Sequence, residues 1–127
     1  MSDGSRSVLV VEDEPLIALG LTLTLEEMGL AVCGTAATAA DAVALAQTHR
    51  PSLVIMDVRL AGSADGVDAA IEIRRTLDSP IIFVTASMER ETVERIRQGH
   101  PAAILFKPVL PTDLAAEVEK VLRRQAD

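Results

Sequence analysis

Four apolar runs, VLVV (8–11), LVIM (53–56), IIFV (81–84) and AILF (103–106), are each followed at once by polar residues. Those residues are Glu12-Asp13-Glu14, Asp57, Thr85-Ala86-Ser87 and Lys107-Pro108. Short runs of Val, Ile, Leu and Phe without polar alternation read as strands buried on both faces of a parallel sheet. In such a sheet every carboxyl end points the same way, and ligands sit in the crevice outside those ends. Four strands would thus deliver acids, a hydroxyl and a lysine to one edge.

The segments between the runs have helical periodicity. Residues 15–28 open on Pro15, suited to a first helical turn, and stop at Gly29. Residues 39–49 follow Thr38, which with Asp41 forms a variant of a capping box. Residues 67–77 follow the turn-forming pair Asp65-Gly66 and end at Asp78-Ser79-Pro80. Further helices fit 88–98, ending at Gly99, and 112–124, after Pro111, while AVCG (31–34) supplies a fifth strand. Strand and helix alternate five times, which implies parallel strands joined by right-handed crossovers. The expected fold is an α/β, flavodoxin-like (βα)5 doubly wound sheet of order 2-1-3-4-5. A disordered leader is expected over 1–7, one domain over 8–124 and a tail over 125–127.

At 127 residues the chain has the length of one domain, and 49% hydrophobic against 24% charged residues is a globular balance. No apolar run is long enough to span a bilayer and MSDGSRS lacks the regions of a signal peptide, so a cytoplasmic protein without membrane insertion is expected. The net charge of −7 and the lack of a basic block argue against direct nucleic-acid binding, which depends on neutralising phosphates. Trp and Tyr are absent, which also removes the usual base-stacking platforms. The single Cys33 has no internal disulfide partner and reads as a small buried hydrophobe. His49 and His100 lack ligand spacing and read as surface residues.

Glu12, Asp13 and Asp57 would crowd three carboxylates into a partly desolvated site, where like charges repel. A divalent cation relieves this, and Mg²⁺ prefers such oxygen ligands. Three carboxylates, Lys107 and one Mg²⁺ together are electroneutral. A phosphoryl group also suits the site, since its transfer needs an in-line nucleophile and cations on the equatorial oxygens. Asp57 is placed to be that nucleophile, and Thr85, Lys107 and the Ala86 N–H to contact phosphoryl oxygens.

The set EDE, D, TAS and KP, at separations of about 45, 28 and 22 residues, resembles the receiver domain of two-component response regulators. That likeness implies a phosphoprotein of a phosphorelay in which Asp57 takes phosphate from a histidine kinase or a histidine phosphotransfer protein. It also implies direct Mg²⁺ ligation by Asp13, Asp57 and the Arg59 carbonyl, with Glu12 acting through water, and a cis Lys107-Pro108 peptide. The domain would be a phosphoacceptor rather than an enzyme with a turnover substrate. Three departures stand out. Ile104 occupies the position where receivers usually carry an aromatic switch residue, the loop RLAGSADG after Val58 is one residue longer than the commonest form, and Arg59 and Ser87 flank the phosphate position.

Two other readings compete. A Mg²⁺-dependent phosphatase of the haloacid dehalogenase type also uses an aspartyl phosphate, but Val58-Arg59 after Asp57 lacks the second acid of its DxD motif. A receiver-like module that binds partners without phosphate is the other. On the first helix, Ile17, Leu21, Leu25 and Met28 form the face expected to meet the sheet. Leu16, Leu19 and Leu23 fall elsewhere, and two packings are open for them. Leu16 and Leu23 tuck against the last helix, or Leu19 and Leu23, with Ile104 on another face, serve homodimerisation or partner docking. The charged residues of 89–97 read as a solvated helical face.

Overall fold

The computed structural model describes residues 6–126. Its strands are β1 (Ser7–Val11), β2 (Ala31–Ala36), β3 (Leu53–Asp57), β4 (Ile81–Thr85) and β5 (Ala103–Phe106). The helices are α1 (Pro15–Glu27), α2 (Ala39–His49), α3 (Gly66–Arg74), α4 (Arg90–Arg97) and α5 (Pro111–Ala126). The sheet is parallel with order β2-β1-β3-β4-β5, as the alternation of strands and helices predicts. No described helix is long and apolar enough to cross a membrane.

Strand residues alternate between two cores because successive side chains point to opposite faces. Leu9, Val11, Val54, Met56, Ile81 and Phe83 face a core closed by α2, α3 and Ile96 of α4. Val8, Val10, Leu53, Ile55, Ile82 and Val84 face a second core closed by α1 and α5. The three central strands are therefore continuously apolar over 8–11, 53–56 and 81–84.

Edge strands behave differently. The β5 run AILF is half-buried and ends on an exposed Phe106, because β4 is its only neighbour. In β2 a register shift opposite Val8 and Leu9 makes room for Cys33. That residue is half-buried rather than buried, with Sγ 3.5 Å from the Val8 carbonyl.

Several boundaries move. Ser7 belongs to β1, because the Ser52 N–H donates to its carbonyl at 2.8 Å; residues 1–5 of the expected leader lie outside the described residues. Helix α5 runs through 125 and 126 of the expected tail, and Asp127 lies outside the described residues. Asp65-Gly66 is a helix start rather than a free turn. The Asp65 carboxylate accepts from the Asp68 N–H and the Asp68 carboxylate from the Asp65 N–H, each at 2.9 Å, which caps α3 at both donors. Thr38 caps α2 as expected, its hydroxyl accepting from the Asp41 N–H at 3.1 Å.

Helix α1 is rolled relative to its expected face. Ala18, Leu21, Thr24 and Leu25 are buried, whereas Ile17 sits at the margin and Met28 is half-buried. The small Ala18 and Thr24 let the backbone approach the sheet, and the Thr24 hydroxyl is satisfied by the Gly20 carbonyl at 3.2 Å. Leu16 is 83% exposed and does not tuck against α5; Leu19 and Leu23 are 53% and 51% exposed. A methyl group at Gly20 would meet nothing within 4 Å. Gly20→Ala should therefore raise stability by about 0.5–1 kcal/mol through helix propensity alone, seen as a higher urea midpoint at unchanged m value.

Candidate functional site

The parallel ladder continues past the strand ends and fixes the backbone of the site. The Glu12 N–H donates to the Ala36 carbonyl at 2.9 Å, Val58 to Val84 at 3.3 Å and Lys107 to Thr85 at 2.8 Å. These bonds bring Glu12, Asp13, Asp57, Thr85 and Lys107, 95 residues apart at the extremes, to one edge. The Lys107-Pro108 peptide is cis.

Lys107 Nζ is 3.0 Å from Glu12 Oε1 and 3.0 Å from Asp57 Oδ2. The Glu12 and Asp57 side chains are only 1% and 7% exposed, so the ammonium is the counter-charge of two buried carboxylates. The remaining Glu12 oxygen accepts from the Glu14 N–H at 3.1 Å, and Asp57 Oδ1 from the Arg59 N–H at 3.4 Å. Burial pushes the Glu12 carboxyl up to about 7, against the lowering effect of the Glu14 N–H and Lys107. Burial works to lower the Lys107 pKa, but its hydrogen bonds to Asp57 and Glu12 and their charges outweigh it and raise the value. The charge balance is uneven, with three carboxylates and one ammonium.

Ligand oxygens of Glu12, Asp13 and Asp57 lie within 4.8 Å of one another, with Asp13 exposed and the other two buried. An all-oxygen set with a surplus of negative charge and one open side fits a Mg²⁺ ion, which keeps several waters of its own. Asp57 stands in a cavity of about 560 Å³ lined also by Arg59, Thr85, Ala86, Ser87 and Thr92. Ile104 is not at the site; it is half-buried, its side chain packed on the α2 and α3 side of the sheet.

Three features of the site were not visible in the motifs. Gly66 lies against the end of β3, with its N–H donating to Val58 at 2.7 Å; a Cβ there would strike the Asp57 carbonyl oxygen and come within 2.9 Å of Met56 Cγ. The loop after Asp57 is tied down by Ala61, whose N–H donates to the Ala37 carbonyl at 3.1 Å. Arg95, read as part of a solvated face, reaches Asp65 at 3.1 Å and Asp68 at 2.7 Å and joins α4 to the cap of α3. The Asp65 N–H, and then the Arg95 guanidinium, hold the Asp68 carboxyl below its usual range. Only the side chains at the start of α3 carried a signal, since D-G-x-D is itself a capping pattern. His49 and His100 are exposed and take no part.

The family model for the response regulator receiver domain matches residues 8–119. The transcriptional regulatory protein PdtaR of Mycobacterium tuberculosis is 42% identical over 119 residues, covering 94% of this chain and 58% of that protein. The phyllosphere-induced regulator PhyR of Methylorubrum extorquens is 37% identical over 123 residues, covering 95% and 45%. The chain thus spans about half the length of these curated relatives. Among solved structures, the signal receiver domain of a modulated diguanylate cyclase from Desulfovibrio desulfuricans superposes with a TM-score of 0.89 at 33% identity, over 97% of this chain and 98% of that one.

Proposed function

This chain belongs to the response regulator receiver domain family, and from that premise we propose that it accepts a phosphoryl group on Asp57 from the phosphohistidine of a histidine kinase or histidine phosphotransfer protein. The observation that carries the reading is the setting of Asp57. Its carboxylate opens into a cavity bordered by the hydroxyl of Thr85, the ammonium of Lys107 and two further acids.

In the transfer, an Asp57 oxygen attacks phosphorus and forms the new O–P bond. The N–P bond to the donor imidazole breaks, and the imidazole leaves with its electron pair and takes up a proton. The charge on the equatorial oxygens is met by Lys107, already held within 3.0 Å of Asp57, by the Thr85 hydroxyl and by the Ala86 N–H. Asp13, Asp57 and the Arg59 carbonyl would hold Mg²⁺, with Glu12 acting through water. When bound, the ion supplies the second cation that this acid-rich site lacks. Arrival of a doubly charged phosphoryl would then shift an existing conformational equilibrium and change protein contacts.

Incubating the full chain with acetyl phosphate and Mg²⁺ and measuring intact mass tests the proposal. The expected result is gain of one phosphoryl group by the wild type, no gain by Asp57→Asn, and loss of the gain when Mg²⁺ is chelated. An Asp57→Asn chain that gains phosphate as the wild type does would overturn it.

A further inference from the structure

Helix α4 is seated at its C-terminal end. Of its eight residues only Ile96 is buried, and at Gly99, just beyond the helix, a Cβ would come within 2.8 Å of Phe83 Cζ and 3.3 Å of the Ala70 Cβ of α3. The turn that carries Arg95 is therefore packed closely on β4 and α3. On one side of the Arg95 guanidinium, Nη1 donates to Gln98 Oε1 at 3.2 Å and fixes its direction. On the other, Nη2 donates to Asp65 Oδ1 and to Asp68 Oδ1, the two carboxylates that cap α3.

That cap borders the neck of the loop after Asp57. Residues 59–65 leave the end of β3 at Val58 and return to it at Gly66, whose N–H donates to the Val58 carbonyl at 2.7 Å. Gly66 has no side chain to hold it there, and a Cβ would strike the Asp57 carbonyl oxygen. The neck is therefore held by what flanks Gly66, the buried Val67 on one side and the Asp65 cap on the other. Two negative charges meet at that cap, and Arg95 is the cation that pairs with both. Without it the two carboxylates repel one another across the capping box, and the Asp65 side of the neck loosens. Arg59, the first residue inside the neck, is held to the site through its N–H, which donates to Asp57 Oδ1 at 3.4 Å.

We propose that Arg95 is a positioning residue for the metal half of the site: from the seated end of α4 it holds the cap of α3, and through the bond from Gly66 to Val58 it sets where the Arg59 carbonyl stands. This rests on the phosphoacceptor reading of Asp57 and on the Mg²⁺ ligands named with it. Arg95 touches neither the ion nor the phosphoryl group. Its loss should therefore weaken binding of the ion without slowing transfer once the ion is bound. Val67 and the capping box remain in place without Arg95, so the expected effect is about threefold, the size of a partly exposed ion pair.

The test compares the full wild-type chain with Arg95→Gln, and repeats the comparison in a background that carries Asp65→Asn and Asp68→Asn. Asparagine caps a helix about as well as aspartate and brings no charge. In the metal-free chain, amide hydrogen exchange read by NMR should be about threefold faster at Gly66 and Asp68 in Arg95→Gln. Val54, whose N–H donates to the Pro80 carbonyl at 3.0 Å at the other end of β3, should exchange as in the wild type. Titration with Mg²⁺, followed by NMR shifts, should give a dissociation constant raised about threefold. Phosphate gain from acetyl phosphate, read by intact mass over a range of Mg²⁺ concentrations, should need about threefold more ion to reach half its limiting rate. The limiting rate itself should match that of the wild type. In the asparagine background, Arg95→Gln should leave the Mg²⁺ dissociation constant nearly unchanged.

An Arg95→Gln chain that binds Mg²⁺ as the wild type does overturns this inference and leaves the phosphoacceptor reading intact. A lowered limiting rate at an unchanged half-saturating Mg²⁺ concentration does the same, since it marks general damage to the fold. The full threefold effect in the asparagine background would also overturn it. A wild type that gains no phosphate overturns the phosphoacceptor reading and this inference with it.

Discussion

Gly66→Ala is expected to lower the unfolding free energy by at least about 3 kcal/mol and to leave a chain that gains no phosphate from acetyl phosphate. The cause is steric. Gly66 is buried at the first position of α3, and a Cβ there would collide with the backbone carbonyl oxygen of Asp57 and press on Met56 Cγ at 2.9 Å. Neither atom can yield cheaply, because Met56 is fully buried and the Asp57 backbone is the end of a central strand. Relief requires α3 to move outward, which would break the 2.7 Å bond from the Gly66 N–H to Val58 and shift the Asp57 side chain within the cavity. Urea unfolding gives the stability loss, and intact mass gives the phosphate gain. A variant with wild-type midpoint and full phosphate gain would show that the loop after Asp57 is softer than its packing implies.

Lys107→Met should slow phosphate gain about 100-fold, the usual cost of removing one preorganised donor from a developing anion. Without Mg²⁺ it should also cost about 3 kcal/mol of stability, because the Glu12 and Asp57 carboxylates, 1% and 7% exposed, lose their counter-charge. Methionine keeps the apolar stem of the lysine, so the effect reports charge rather than packing. Added Mg²⁺ should restore part of the stability by binding the folded state alone, whereas the slowing of phosphate gain is expected with Mg²⁺ present in both chains. Urea midpoints with and without Mg²⁺, together with the time course of intact mass, separate the two effects. Equal losses of stability in both conditions would mean that the acids do not hold the ion.

Much of the site was legible because a strand buried on both faces must be continuously apolar. The first polar residue after each run therefore marks a carboxyl end. Asp57, Thr85 and Lys107 stood out on that ground, and the structure brings them together through the ladder bonds of Glu12, Val58 and Lys107. The exposure of β5 was not legible in the run itself, since AILF resembles the central runs, and it follows only from the strand order, which puts β5 at the edge. The roll of α1 was misjudged for a related reason. Helical periodicity favours the larger Ile17 and Met28, whereas close approach to the sheet favours the smaller Ala18 and Thr24.

Arg95 shows a different kind of gap. Its charge pattern fits a solvated face, and its partners Asp65 and Asp68 lie 30 and 27 residues away on another element.

The sequence by itself determined the five repeated units, the parallel sheet and the edge at which the acids, hydroxyl and lysine emerge, because period and burial are local consequences of residue type. The tertiary structure decided which of those groups share a proton or a charge. It set Lys107 between Glu12 and Asp57, put Gly66 against the Asp57 carbonyl and tied the cap of α3 to Arg95. Such pairings depend on distances between elements fixed only when both cores pack, so no pattern within a single element could state them.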